Sequence, residues 1–124
     1  MKLVICEKPS VAKAVASALG VTSRADGCFE GNGLIVSWCV GHLVSPMDAA
    51  GYDLGYKKWK YDDLPILPEP FRYVLAKGKE DAFQNLKHLM EREDVTELVN
   101  ACDAGREGEL IFRLVYEMAG CQKP

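Results

Sequence analysis

The sequence lacks any long hydrophobic run. No apolar stretch in its 124 residues approaches the roughly 20 residues that a membrane-spanning helix needs. The N-terminus also lacks the layout of a secretory signal peptide. These absences predict no contact with a membrane, and we expect the protein to be cytoplasmic.

Paired cysteines are missing as well. The cysteines are odd in number and scattered, and none belongs to a C-x-x-C pair; they are Cys6, Cys28, Cys39, Cys102 and Cys121. This pattern argues against both a disulfide framework and a zinc site. Cys6 and Cys102 lie at the ends of apolar runs, so we expect both to be buried thiols.

Neither sign of charge dominates. There are 15 Lys and Arg against 18 Asp and Glu, for a net charge of -3, so nothing attracts nucleic acid globally and any such contact must be local. The sequence has no internal repeat, low-complexity tract or interdomain linker. With 48% hydrophobic and 27% charged residues, it has the composition of one compact globular domain with its own core.

What is present is a cluster of acids between a predicted strand and a predicted helix. Leu98 to Cys102 is a short, mostly apolar run, and apolar residues then recur at helical spacing from Leu110 to Met118. Asp103 follows the predicted strand, and Glu107 lies in the first turn of the helix. Gly105 and Gly108 allow the backbone to turn and a group to approach closely.

Clustered carboxylates of this kind repel one another, and a hard divalent cation such as Mg²⁺ commonly relieves the repulsion. Acids also occur in first helical turns simply because they suit the helix dipole. From these residues alone, an ion site and an ordinary helix start both remain open.

A second strand-to-helix junction lies near the N-terminus. Lys2 to Cys6 is an apolar run of strand length, and Val11 to Leu19 is an alanine-rich helical segment. Pro9 is expected just before this helix, Ser10 as its N-cap and Gly20 at its end.

Glu7 and Lys8 occupy this second junction. Parallel strands end at the same edge of a sheet, so Glu7 is expected to meet Asp103 and Glu107 despite the separation in sequence. An exposed loop acid and a solvated lysine are the simpler interpretation of the same two residues.

The next segment is predicted to be a β-hairpin. Asn32-Gly33 is a strong type I′ turn signal between Cys28–Glu30 and Leu34–Val40. His42 follows a glycine turn, where a lone histidine could contact a phosphate or a base but is more often structural.

Residues 45–70 form a predicted irregular insertion that is rich in proline, glycine and aromatic residues. It contains the basic and aromatic cluster Lys57, Lys58, Trp59, Lys60 and Tyr61. Such interleaving suits single-stranded nucleic acid, with cations on phosphates and rings under bases. Alternatively, Trp59 and Tyr61 anchor the loop on the body of the domain, and the lysines are merely solvated.

The remaining elements suggest a β-α-β unit. Phe71 to Ala76 is a strand candidate, and an amphipathic helix from about Glu80 to Glu91 leads to the strand at Leu98. A sheet of this type is expected to continue past Pro124, so we expect the chain to be an N-terminal fragment of a longer protein.

Four ordered segments resemble a known family. EKPSVAKAVASALG from Glu7 and CDAGREGELIF from Cys102 resemble the TOPRIM domain of type IA DNA topoisomerases, particularly the bacterial topoisomerase III group. WCVGHLVSP and KKWKYDDLPILP are similar to stretches of that group in the same order. The resemblance covers residues 1–124 as one TOPRIM domain: an α/β fold with a mostly parallel sheet flanked by helices, a hairpin and a long insertion.

The resemblance also implies roles for the junction residues. Glu7 matches the first catalytic acid, and Asp103 and Glu107 match the ends of a D-x-D-x-E signature. The resemblance implies that these three acids hold Mg²⁺. Gly105 replaces the middle aspartate, which puts a second protein-anchored ion in doubt. Lys8 and Arg106 are implied to hold the scissile phosphate, Arg as a bidentate grip and Lys as a point charge.

The family's reaction is a reversible transesterification of single-stranded DNA by a tyrosine. Glu7 is implied to be the general acid on cleavage and the base on rejoining. The resemblance places the tyrosine in a separate domain, so we expect this chain alone to be inactive and its partners to be DNA and the remaining domains of the parent enzyme. Lys57, Lys58, Lys60 and Tyr61 are the expected DNA contacts of the insertion.

Three alternatives differ from this interpretation. TOPRIM domains also serve primases and nucleases, although the segments beyond the acids argue against that. A noncatalytic nucleic-acid-binding module would need the basic cluster but not the acids. An unrelated phosphate-binding α/β domain, such as a response regulator, would leave WCVGHL and KKWKYDDLP unexplained.

Overall fold

The computed structural model describes all residues from Met1 to Pro124, and its centre is a five-stranded sheet. The strands are β1 (Lys2–Cys6), β2 (Ser23–Ala25), β3 (Cys28–Gly31), β4 (Leu34–Trp38), β5 (Val44–Pro46), β6 (Tyr73–Leu75) and β7 (Glu97–Ala101). The helices are α1 (Pro9–Ala18), α2 (Ala49–Tyr52), α3 (Glu80–Glu91) and α4 (Arg106–Met118). The central sheet has the order β2-β3-β4-β1-β7. Strand β1 is parallel to both β4 and β7, whereas β3 is antiparallel to both of its neighbours, β2 and β4. The predicted α/β fold is confirmed.

Strand β1 shows why both faces of the sheet are covered. Alternate side chains of a strand point to opposite faces, so an apolar strand buries both sets. Leu3 and Ile5 join the main core under α3 and α4, whereas Val4 and Cys6 pack against the alanine-rich face of α1. Helices therefore cover both faces of the sheet, and the ends of its central parallel strands lie at a common edge.

The first helix begins earlier than the sequence pattern suggested. Pro9 is its first residue, Lys8 is the N-cap, and no side chain caps the helix. The prediction of Ser10 as N-cap was therefore wrong. A proline in the first turn has no N–H to leave unsatisfied and its fixed φ suits a helix, which explains the earlier start.

The predicted hairpin is confirmed, and a further strand extends it. Asn32 and Gly33 have φ values of 52° and 76°, as a two-residue type I′ turn requires. Strand β4 ends at Trp38 rather than at Val40. Strand β2 was not predicted; it pairs with β3 across Asp26-Gly27, a second short turn signal of the same kind.

The insertion contains more structure than predicted. β5 and β6 form a separate two-stranded antiparallel sheet, and α2 and two 3₁₀ turns (Leu54–Lys57 and Tyr61–Asp63) lie between them. Because β6 pairs with β5 and not with the central sheet, the predicted β-α-β unit from Phe71 to Leu98 is wrong. The pairing is long-range, so no local pattern revealed it.

The C-terminal half agrees with its periodicity. Helix α3 has the predicted bounds and buries Phe83, Leu86, Leu89 and Met90, while β7 begins and ends one residue earlier than predicted. Helix α4 buries its apolar stripe, including Ile111 and Val115. None of the helices is long and apolar enough to cross a membrane.

Candidate active site

The candidate site lies where β4, β1 and β7 end side by side. Glu7 directly follows β1, and Asp103 lies two residues beyond β7, the parallel neighbour of β1. In the last pairing of these strands, Cys6 lies opposite Ala101, so both chains leave the sheet at the same level. The fold thereby brings Glu7 and Asp103 together from positions 96 residues apart in the numbering.

The proximity of these two acids changes the protonation of Glu7. A hydrogen bond to the Asp103 side chain, partial desolvation and the like charge of Asp103, in that order, raise the pKa of Glu7 above its usual value. Lys8 and His42 oppose this change weakly. The proximity of Asp103 therefore makes Glu7 easier to protonate than an isolated glutamate.

Gly108 fixes the loop that carries Asp103. A Cβ atom at this buried position would lie 1.9 Å from the Asp103 carbonyl oxygen, so only glycine allows the first turn of α4 to pack on the loop. Gly105 is different, because its φ of 177° is ordinary extended backbone and no atom lies within 4 Å of its hypothetical Cβ. Packing therefore requires glycine at Gly108, whereas at Gly105 neither the backbone conformation nor a neighbouring atom does, and the space beside it is open.

Glu107 is bound to a histidine that the sequence did not connect with it. The Nε2 atom of His42 lies 2.9 Å from Oε2 of Glu107. The loop of His42 is itself tied to the site, since the Gly41 N–H donates to the Glu7 carbonyl oxygen at 3.2 Å. His42 thus belongs to the site and is paired with Glu107.

Glu109 is also held by neighbours. Asn100 donates from Nδ2 to one of its carboxylate oxygens at 2.9 Å, and Arg113 donates to the other from Nε and Nη2 at 2.9 Å and 2.8 Å. The side-chain oxygen of Asn100 also accepts a hydrogen bond from the Cys102 N–H at 3.0 Å. This bond fixes the backbone immediately before Asp103. Both carboxylate oxygens of Glu109 are therefore already paired within the chain.

The basic residues at the two strand-to-helix junctions form no ion pair. Lys8 and Arg106 are exposed, and neither takes part in an ion pair. Lys8 lies next to Glu7, and Arg106 is the first residue of α4. Both are available to an anionic ligand at this edge.

Three thiols lie beneath the acids. Cys6 and Cys39 are fully buried, whereas Cys102 is only partly buried, so the expectation for Cys102 was too strong. Burial raises the pKa of Cys6 to about 11, and a hydrogen bond from Cys39 lowers the pKa of Cys102. The Sγ atom of Cys102 lies 3.8 Å from the Ile5 carbonyl oxygen. These thiols pack the strand ends that position Glu7 and Asp103.

The structure does not contain a preformed metal site with three protein ligands. The structure contains no group of three or more His, Cys, Asp or Glu side chains arranged to hold one ion. The oxygen donors that it does bring together are Glu7 and Asp103, while Glu107 is paired with His42.

The basic and aromatic cluster of the insertion is open to solvent. Trp59 and Tyr61 are 77% and 92% exposed, so they do not anchor the loop on the domain as the alternative interpretation supposed. Lys57, Lys58 and Lys60 are exposed and take part in no ion pair. The charged groups and rings of the cluster are therefore accessible to a ligand.

Comparison with known proteins places these features in a family. A sequence model described as the Toprim domain matches residues 2–123. The chain is 46% identical over 123 residues to DNA topoisomerase 3 of Shouchella clausii, covering 99% of this chain and 17% of that protein. It is 43% and 42% identical over 122 residues to DNA topoisomerase 3 of Bacillus licheniformis and of Bacillus subtilis, covering 98% of this chain and 17% of each protein. The chain thus spans about one sixth of the length of these relatives, and it belongs to the Toprim domain family.

Proposed function

We propose that this chain is the Toprim domain of a type IA, topoisomerase III-like enzyme. Its role is to supply the acid-base glutamate and a magnesium site for reversible cleavage of single-stranded DNA by a tyrosine outside this chain. The observation that carries the proposal is the Glu7–Asp103 carboxyl pair at the ends of two adjacent parallel strands, with Lys8 and Arg106 unpaired beside it. The named relatives support the reaction class.

Glu7 is the proton donor and acceptor in this proposal. When a tyrosine attacks a DNA phosphate, the departing 3′ oxygen needs a proton, and rejoining needs the same proton removed. The raised pKa of Glu7 suits this exchange, because the carboxyl group holds its proton closer to neutral pH than an isolated glutamate does. Lys8 and Arg106 would bind the phosphate and stabilise the charge that builds on its oxygens.

A single Mg²⁺ ion fits the donor set better than a pair. Mg²⁺ is usually held by one or two carboxylates, with water completing the shell, and Glu7 and Asp103 meet that need. A second ion would require Glu107 to leave His42 or Glu109 to leave Asn100 and Arg113. When bound, the ion would supply positive charge to the phosphate as a Lewis acid.

The insertion provides a separate contact with DNA. Lys57, Lys58 and Lys60 would bind backbone phosphates, and Tyr61 would stack under a base. With DNA as its substrate, the parent enzyme would act in the cytoplasm of a bacterium, together with its other domains.

The decisive test is Glu7→Gln in the parent enzyme. The amide keeps the shape and hydrogen bonding of the side chain but cannot exchange a proton, so turnover should fall by ~10²–10⁴-fold. Relaxation of supercoiled plasmid measures turnover, and a DNA-binding assay should show little change in affinity. The control is Glu93→Gln, because Glu93 is exposed, has no ion pair and lies before β7, away from the site. Near-normal turnover of Glu7→Gln would show that Glu7 is structural.

A further inference from the structure

Beside the candidate site, the central sheet presents an aromatic surface. Phe29 of β3 and Trp38 of β4 have ring centroids 5.8 Å apart and an interplanar angle of 53°. Both rings are half-buried and pack at the margin of the core under α1. Because α1 packs on β1 and β4, the β2–β3 hairpin extends beyond the helix and leaves this margin open.

The open margin is a cavity with a cationic rim, which we call the Trp38 pocket. Its volume is about 300 Å³, and its lining residues are Pro9, Ser10, Lys13, Arg24, Phe29 and Trp38. Lys13 and Arg24 are exposed and take part in no ion pair. An aromatic pair that only closed the core would be expected to have apolar neighbours, but the rim here carries two free positive charges and the Ser10 hydroxyl.

The position of the pocket relates it to Glu7. Trp38 is the last residue of β4 and lies opposite Cys6 in the parallel pairing with β1. It therefore ends at the same edge of the sheet as Glu7, one strand away, or about 4.8 Å in the pairing direction. Along this edge, Asp103 lies on one side of Glu7 and the Trp38 pocket on the other.

Rings combined with unpaired cations suit one class of ligand. Aromatic side chains stack with nucleobases, and adjacent Lys and Arg side chains neutralise phosphates. A volume of about 300 Å³ is at the lower limit of the range for small-ligand sites, so the pocket accommodates a single nucleotide rather than a longer segment.

We propose that the Trp38 pocket is a subsite for one nucleotide of single-stranded DNA, next to the phosphate on which Glu7 acts. The base stacks on the Trp38 ring and contacts Phe29, whose ring is inclined by 53° to that of Trp38, while Lys13 and Arg24 bind the phosphate of the nucleotide. This proposal rests on the proposed function, since it takes the ligand to be the DNA strand that reaches Glu7. It assigns binding to residues outside the acids and outside the basic insertion.

The test follows the indole N–H of Trp38 by NMR. The Trp59→Phe variant leaves Trp38 as the sole tryptophan, so its indole signal is assigned without ambiguity. We expect this signal to shift on titration with a single-stranded thymidine tetranucleotide. Inorganic phosphate at equal ionic strength should leave it unchanged, and a tetranucleotide with abasic sugars should shift it far less.

Separate variants test the base contact of the subsite and its phosphate contacts. Trp38→Leu should weaken tetranucleotide binding by on the order of tenfold, within the range measured for loss of a stacked base. The double variant Lys13→Ala and Arg24→Ala should weaken it and reduce its salt dependence. Lys13 and Arg24 are both exposed, so the double variant should fold even if the Trp38→Leu variant does not. Lys87→Ala is the matched control, because Lys87 lies on α3 at the opposite face of the sheet.

Failure of this subsite can be distinguished from failure of the proposed function. If the tetranucleotide shifts signals of Glu7, Asp103 or residues 57–61 but not the Trp38 indole, the subsite is wrong and DNA binding stands. If inorganic phosphate shifts the indole as much as the tetranucleotide does, the pocket is an anion site and the nucleotide assignment is wrong. If millimolar tetranucleotide shifts no signal of the chain, the subsite is overturned and the DNA-binding role of this domain with it.

Discussion

At the scale of single residues, the candidate site depends on how each acid is paired. Four acids lie at or near the two junctions, but they are not equivalent. Glu7 shares a hydrogen bond with Asp103, Glu107 is bound to His42, and Glu109 is held by Asn100 and Arg113. Glu7 and Asp103 are paired only with each other, so one ion could bind between them, whereas Glu107 and Glu109 are paired with other side chains.

The first prediction concerns Gly108 and Gly105. Gly108→Ala should lower the unfolding free energy by ~1–3 kcal/mol, because its Cβ would collide with the Asp103 backbone and the loop or helix must shift. Gly105→Ala is the matched control and should change stability by less than about 0.5 kcal/mol, since its Cβ meets open space. Urea unfolding followed by circular dichroism measures both. Equal effects of the two variants would contradict the packing role of Gly108.

A second prediction concerns magnesium. Titration with Mg²⁺ should shift the backbone amide signals of Glu7 and of residues 103–107 together, with incomplete saturation at millimolar concentration. Asp103→Asn should abolish the response, because it removes a charged oxygen donor. Gly105→Asp should strengthen it, because position 105 is open and can carry the aspartate that the family signature usually has. A response that survives Asp103→Asn unchanged would exclude the proposed site.

At the scale of secondary-structure elements, Arg92 joins three parts of the fold. It follows α3, and its guanidinium binds Glu30 of β3 at 2.9 Å and 3.2 Å and Asp94 at 2.7 Å and 2.9 Å. Both contacts are bidentate, a geometry that suits the planar guanidinium. They connect the hairpin to the turn that leads into β7, and so to the strand that carries Asp103.

The third prediction tests this connection. Arg92→Ala should lower the thermal midpoint at neutral pH, whereas Lys87→Ala, which removes only an exposed pair at 3.9 Å, should leave it nearly unchanged. Arg92 lowers the pKa of Asp94, so this stabilisation is present above the unfolded Asp pKa of about 3.9 and is lost as pH falls through the folded value. Thermal melts between neutral and acidic pH should show the two midpoints converging on acidification. A difference that grows on acidification would contradict the Arg92–Asp94 contribution.

At the scale of the whole molecule, none of the five tyrosines belongs to the strand ends that hold the acids; they are Tyr52, Tyr56, Tyr61, Tyr73 and Tyr116. Tyr52 is engaged with the Arg72 backbone, and the Tyr116 hydroxyl donates to the Lys123 carbonyl oxygen at 2.8 Å. Tyr61, which is 92% exposed, belongs to the insertion and not to the strand ends that hold the acids. The proposed transesterification needs an attacking hydroxyl, which the proposal assigns to a tyrosine outside this chain.

The fourth prediction follows directly. The purified chain, incubated with Mg²⁺ and negatively supercoiled plasmid, should leave the distribution of topoisomers unchanged on an agarose gel. Adding the parent enzyme to the same reaction is the positive control. Relaxation that follows this chain through successive purification steps would contradict the proposed division of labour between Glu7 and an external tyrosine.

Much of the fold was already determined by local sequence. The alternation of apolar runs, the 3.6-residue periodicity of α3 and α4 and the Asn32-Gly33 turn each depend on neighbouring residues, so they were predictable. The two strand-to-helix junctions were predictable for the same reason, and with them the placement of Glu7 and Asp103 at one sheet edge. The family resemblance of four ordered segments added the acid-base and metal roles.

Only the tertiary structure decided which side chains meet. The His42–Glu107 pair spans 65 residues, β5 pairs with β6 across the insertion, and the Trp38 pocket combines residues from α1, β2, β3 and β4. No local period encodes such contacts, because they depend on strand order, register and the angle at which a helix covers a sheet. The sequence by itself determined where the acids could be. Packing decided that Glu7 and Asp103 share a hydrogen bond while Glu107 and Glu109 are held by other residues.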